Sequence, residues 1–136
     1  MNKDFFKTTK ILDGGMGQEL LARGMKPKGT LWSANALVDE KYHNLILDIH
    51  NDFIKSGADV IVTTTFTTRR KRLKENGIED QFKYLNQKAC EIAQKAKLNN
   101  PNVKIAGGLP PQDLTYEEDK RSKEDRRGCG RPFQPM

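Results

Sequence analysis

Ala58-Asp59-Val60-Ile61-Val62-Thr63-Thr64 is the stretch that decides the fold. Val60, Ile61 and Val62 run into three threonines without a turn residue, and a β-branched run of this kind reads as a buried strand. On its N-terminal side, Gly57 closes a segment with Tyr42, Leu45, Ile46, Ile49, Phe53 and Ile54 at three- and four-residue spacing. That is one apolar face of a helix, with Asp39 placed as its N-cap. On the C-terminal side, a helix from about Asp80 to Asn99 turns Phe82, Leu85, Ala89, Ile92, Ala93 and Ala96 inward and stops at Pro101. Val103-Lys104-Ile105-Ala106 is a further strand, ended by Gly107-Gly108. Before all of these, Lys10-Ile11-Leu12 is a short apolar run ending at Asp13. Met16 to Arg23 follows with good helix formers, and Gly24 stands just past that helix. The order is strand, helix, strand, helix, strand, with connections long enough for crossovers. It predicts an α/β fold with a parallel sheet covered by helices.

The chain has 136 residues, room for one ordinary domain. Hydrophobic residues make up 35 % and charged residues 31 %, with a mean hydropathy of −0.78, so the core is expected to be thin. No run of apolar residues is long enough to span a membrane. Met1-Asn2-Lys3-Asp4-Phe5-Phe6 has no apolar core of a secretion signal. Two cysteines, Cys90 and Cys129, are too few for a disulfide framework, and a reducing cytoplasm is the expected compartment. Cys90, between Ala89 and Ile92 on the third helix, reads as a buried, inert thiol. His43 and His50 lie two turns apart on one helix and read as packing or surface residues, not as a metal pair.

The net charge is +6, and all of the excess lies in residues 1–111. Its densest cluster is Arg69-Arg70-Lys71-Arg72-Leu73-Lys74. Without aromatic interleaving this reads first as a solvated basic face, and only second as a nucleic-acid contact through phosphates. Residues 117–136 differ from the rest. Eleven of the fifteen residues from Glu117 to Arg131 are charged and no apolar period survives. The expected division is a body, residues 1–116, and a charged tail, residues 117–136, that is disordered or frameshifted.

In parallel α/β proteins, ligands bind beyond the carboxyl ends of the strands. Three places qualify: Asp13-Gly14-Gly15, Thr63-Thr64-Thr65-Phe66 and Gly107-Gly108. Asp13 has two readings. It either caps its own helix, or it accepts bonds from an ammonium group while the glycines let a ligand's carboxylate approach the helix end. The threonine hydroxyls have two readings as well, a polar wall for a ligand or a plain strand end.

Ile11-Leu12-Asp13-Gly14-Gly15-Met16-Gly17-Gln18-Glu19-Leu20 resembles the opening of the homocysteine S-methyltransferase family. Three later blocks resemble that family in the same order. They are Leu31-Trp32-Ser33-Ala34, then Gly57-Ala58-Asp59-Val60-Ile61 with Thr63-Thr64-Thr65-Phe66, then Ala106-Gly107-Gly108-Leu109-Pro110-Pro111. The resemblance covers about residues 8–121. It implies the first three strand–helix units of a (β/α)8 barrel. It also implies methyl transfer to the sulfur of homocysteine from a donor such as S-methylmethionine, S-adenosylmethionine or betaine. By the same resemblance, Asp13 and Gly14 hold the amino-acid end of homocysteine, Thr63 and Phe66 form the wall of that pocket, and Trp32 stands near its mouth.

The family binds zinc on three cysteines, two of them adjacent in a Gly-Gly-Cys-Cys block, and the metal holds the substrate thiol as thiolate. Neither Cys90 nor Cys129 matches those ligands, so no metal site is expected in this chain and the isolated chain is expected to be inactive. The abrupt loss of resemblance beyond about Ser122 points to a truncated or frameshifted gene product. An open sheet edge would favour self-association or assembly with another chain.

Overall fold

The computed structural model describes residues 3–110. The tail assigned to residues 117–136, its boundary at residue 116 and Cys129 lie outside the described residues. Five α-helices are present among these: α1 (Met16–Ala22), α2 (Asn35–Val38), α3 (His43–Lys55), α4 (Arg70–Glu75) and α5 (Phe82–Leu98). Two strands, β1 (Val60–Val62) and β2 (Lys104–Ala106), pair in parallel with Ile61 opposite Ile105. On the other side of β1, Leu12 makes a single parallel bridge to Val60. The order across the sheet therefore follows the chain: the Leu12 segment, β1, β2. Each parallel neighbour is reached by a helical crossover, as parallel pairing requires.

The first segment contributes one bridge where the sequence predicts a short strand. Its anchoring is partly through side chains. Ile11 N donates to Asp59 Oδ2 at 2.9 Å, and Asp59 N donates to Ile11 O at 2.8 Å. Asp13 N donates to Val60 O at 3.0 Å. A carboxylate thus takes over one position of the ladder, which shortens the regular strand.

α3 lies between α1 and α5 and packs on both. Its buried side chains are Ile46, Ile49 and His50. Asp39 does act as a cap, but of the 3-10 turn Glu40–Tyr42, where its side chain accepts from Lys41 N; α3 itself starts at His43. Gly57 ends α3 at φ +105°, a conformation costly for any residue with a Cβ. Gly57 N donates to Ile54 O and Ala58 N to Phe53 O, so two terminal carbonyls are satisfied as the chain turns into β1.

The core has two parts. Between the helices it is built from bulky groups, among them Leu20, Leu37, Ile46, Ile49, Leu73 and Leu85. Between helix and sheet it is narrower, with Ile61 against Ala93, Ala96 and Val103. The two alanines let α5 lie close to the strands. Cys90 corrects the sequence reading: it is exposed on α5, because the inward stripe runs through Ala89 and Ala93 and leaves the residue after Ala89 facing outward. No described helix is long and apolar enough to cross a membrane.

Candidate functional site

The carboxyl ends of the first segment and of β1 open into a cavity of about 390 Å³. It brings together all five residues named from the sequence: Asp13, Gly14, Trp32, Thr63 and Phe66. Among the described residues lining it, Asp13 is the only ionisable one.

Asp13 does not cap α1. The N-cap position is Gly15, with no side-chain cap. Instead Asp13 Oδ2 accepts from Val62 N at 2.8 Å, which holds the carboxylate across the end of β1. Burial pushes its pKa up, and the bond from Val62 opposes that shift. A half-buried carboxylate whose described cavity neighbours are all uncharged is well placed to take a cationic group.

Gly14 has a packing reason as well as a place in the cavity. A Cβ there would lie 2.8 Å from Phe53 Cε1, so the aromatic ring of α3 seats directly on the backbone. Gly17, in the first turn of α1, is constrained in the same way. A Cβ there would meet the Trp32 indole, including Cε2 at 2.9 Å.

Trp32 is 40 % exposed and has φ +51°, rare for a bulky side chain. The cost of that conformation is met by its neighbours. Thr67 Oγ1 accepts from Ala34 N at 2.9 Å and lies 3.0 Å from Ser33 Oγ, both bonds buried. These two contacts clamp the 3-10 turn Trp32–Ala34 to the end of β1 and fix the indole at the cavity mouth. Thr67 was not singled out from the sequence, because nothing local marks a threonine whose partners are 33 and 34 residues away.

The threonine run divides its work. Thr63 Oγ1 lies 2.9 Å from Thr65 Oγ1, and Thr65 Oγ1 donates to Gly108 O at 3.3 Å. Thr65 is left to accept from Thr63, so Thr63 offers a ligand acceptor capacity only. Thr64 also lines the cavity, and its hydroxyl is buried with no hydrogen-bond partner among the described residues. The sequence placed it in the same run but not as a site residue. Phe66 is 48 % exposed at the rim.

The remaining candidates fall elsewhere. His43 Nε2 lies 2.9 Å from Leu37 O, a structural contact. His50 is fully buried with neither ring nitrogen partnered, and burial lowers its pKa to about 4. The basic cluster is not one solvated face. Arg70 stacks over the Phe82 ring and lies 3.7 Å from Glu79, whereas Arg72 is half-buried and donates to Thr30 O at 2.6 Å. No group of three or more His, Cys, Asp or Glu residues among the described residues can hold a metal ion.

The homocysteine S-methyltransferase family model matches residues 10–129, beyond Ser122, where the sequence reading had the resemblance fail. The homocysteine S-methyltransferase of Escherichia coli is 33 % identical over 109 residues, which are 74 % of this chain and 34 % of that protein. The S-methylmethionine–homocysteine S-methyltransferase BHMT2 of Rattus norvegicus is 31 % identical over 109 residues, 79 % of this chain and 28 % of that protein. The crystal structure of the homocysteine methyltransferase MmuM from Escherichia coli, in its metallated form, superposes with a TM-score of 0.66 at 33 % identity. That match covers 79 % of this chain and 40 % of that one. The chain thus spans about a third of the length of these relatives. A family match over most of the sequence, together with an α/β fold that agrees with a solved member, shows that this chain belongs to the homocysteine S-methyltransferase family.

Proposed function

We propose that residues 3–110 form the amino-acid-binding side of a homocysteine S-methyltransferase pocket, the first part of a (β/α)8 barrel. One observation carries this reading. Asp13, held by Val62 N, is the lone charge among the described residues of a cavity that also contains Thr63, Thr64, Trp32 and Phe66. The carboxylate would accept from the α-ammonium group of homocysteine. Thr63 would add a second acceptor, and the unpaired Thr64 hydroxyl would take a further polar group. The sequential parallel order of the Leu12 segment, β1 and β2 supports the barrel reading, since a barrel adds its strands in chain order.

Methyl transfer in the family requires a thiolate, and zinc on three cysteines supplies it. The described residues do not fit that metal: Cys90 stands exposed on α5, with no cluster of ligands around it. The isolated chain would therefore bind the amino-acid end of homocysteine without transferring a methyl group from S-methylmethionine, S-adenosylmethionine or betaine. A cytoplasmic setting suits its exposed free thiol.

Calorimetry of the full chain with L-homocysteine tests the binding claim. Saturable binding is expected, weakened about tenfold when 4-mercaptobutyrate, which lacks the amino group, replaces homocysteine. No heat up to millimolar ligand would overturn the reading. Methionine formed from homocysteine and S-methylmethionine would overturn the inactivity.

The sheet favours a second reading, assembly with a further chain. The outer edge of β2 has no strand partner among the described residues, and Leu12 is 63 % exposed beside β1. A discrete dimer in sedimentation would support assembly, and a monomer at all concentrations would exclude it.

A further inference from the structure

We propose that Thr65 is a positioning residue for substrate recognition. It fixes the direction of the Thr63 hydroxyl, so that Thr63 meets a ligand's amino group as an acceptor and never as a donor. The role rests on the amino-acid-binding reading of the Asp13 cavity.

Among the described residues, Thr63 lines the Asp13 cavity, whereas Thr65 lines a neighbouring cavity together with Gly108. Thr65 can therefore act on a ligand only through Thr63. Both threonines are buried. Thr65 Oγ1 has two contacts, Thr63 Oγ1 at 2.9 Å and Gly108 O at 3.3 Å. A carbonyl oxygen cannot donate, and Thr65 has a single hydroxyl proton. Both contacts are kept only if that proton goes to Gly108 O and the Thr63 proton goes to Thr65 Oγ1. The Thr63 lone pairs are then left for a ligand. Each bond in such a chain polarises the next, so the Gly108 carbonyl, just past β2, strengthens Thr63 as an acceptor.

The backbone holds the relay in place. Thr63 N donates to Ala106 O at 2.9 Å, and Thr65 N donates to Thr63 O at 2.7 Å. A Cβ on Gly108 would lie 3.3 Å from Thr65 Oγ1, so the glycine lets the carbonyl strand end come close to the hydroxyl. The consequence is selectivity. An ammonium group brings protons alone and suits an acceptor. A hydroxyl in its place also carries lone pairs that call for a donor, and Thr63 offers it none.

Two measurements on the full chain test this. The first needs no ligand. Thr65→Val removes a bond from Gly108 O and Thr63→Val does not, so the Gly108 carbonyl carbon resonance should move in the first variant and stay in the second. The reverse pattern, or an equal shift in both, would overturn the relay. The second is calorimetry with L-homocysteine and with (S)-2-hydroxy-4-mercaptobutyrate, in which a hydroxyl replaces the ammonium group. The unaltered chain should prefer homocysteine at least tenfold. Thr65→Val frees the Thr63 proton for the ligand, so that preference should fall at least threefold. Thr65→Ser keeps the hydroxyl and should hold the preference to within a factor of about 1.5. A merely structural loss weakens both ligands alike, so an unchanged ratio in Thr65→Val overturns the proposal, as does a serine variant that behaves like the valine one. If the unaltered chain binds neither ligand, the amino-acid-binding reading fails whatever the Gly108 resonance shows, and this role falls with it.

Discussion

The two cavities on either side of Trp32 are similar in size, about 390 and 420 Å³, and different in lining. Among the described residues, one holds a single carboxylate, Asp13, with uncharged neighbours. The other sets Leu21, Met25 and Pro27 beside Arg69, Lys71 and Arg72. They also differ in construction. The Asp13 cavity is assembled at strand ends, where backbone hydrogen bonds such as Asp13 N to Val60 O and Thr63 N to Ala106 O hold the chain. The other cavity is assembled from a loop and the short helix α4, so its precision depends on contacts such as Arg72 to Thr30 O. What they share is the scaffold beneath and the indole between.

The largest expected effect strikes that shared scaffold. His50 is buried on α3 and its folded pKa, about 4, lies below its unfolded value of about 6.5. Between these pH values the unfolded chain binds more protons than the folded one, so stability rises with pH. It is complete above pH 6.5 and is lost as pH falls towards 4. The loss attributable to His50 is about 3 kcal/mol. Urea denaturation from pH 7 to pH 4.5 should show it, and His50→Leu should flatten the slope. An unchanged slope in that variant would assign the acid sensitivity to other groups.

Thr67→Val comes next. It removes the partner of the buried Ser33 Oγ and one of two acceptors of Ala34 N, which keeps its bond to Leu31 O, at a cost of about 2 kcal/mol. Binding of L-homocysteine at the Asp13 cavity should weaken with it, because the turn carrying Trp32 is released. Unchanged binding would show that the turn is held by something else.

Gly17→Ala sharpens the role of the partition itself. The new methyl displaces the indole, while helix propensity gains about 1 kcal/mol. Net stability should therefore change little, and Trp32 emission should shift to the red as the ring moves into water. An unshifted emission spectrum would mean that the ring holds its place.

The smallest effect is the most selective. Asp13→Asn keeps an acceptor for Val62 N but removes the charge, so L-homocysteine binding should fall about tenfold, equivalent to about 1.4 kcal/mol. Equal binding by the variant would separate Asp13 from ammonium recognition.

Much of this organisation was legible before any coordinates. The β-branched run at Val60–Val62, the helix stripe through Ile46 and Ile49, and the inward alanines of α5 all follow from local periodicity, which burial enforces. That Asp13, Gly14, Thr63 and Phe66 share one cavity follows from their places at strand ends, whereas Trp32 was reached only through the family resemblance. Cys90 was misread because one residue of offset on a helix is a rotation of about 100°, enough to turn a side chain from core to water. Residues 69–74 read as a solvated basic face, which holds for Arg70, Lys71 and Lys74 but not for the partly buried Arg69 and Arg72, because charge pattern says nothing about which guanidinium packs inward.

Sequence by itself determined the alternation of elements, the parallel α/β class, the family and the residues that meet at Asp13. Hydrophobic period and glycine placement act over a few residues and need no distant partner. Tertiary structure alone decided that Asp13 serves Val62 and not α1. It alone decided that Gly14 and Gly17 make room for Phe53 and Trp32, that Thr67 clamps the turn, and that Arg72 faces a cavity. Each of those depends on groups that chain folding brings together from distant positions, and the energy of such contacts exists only once the packing is complete.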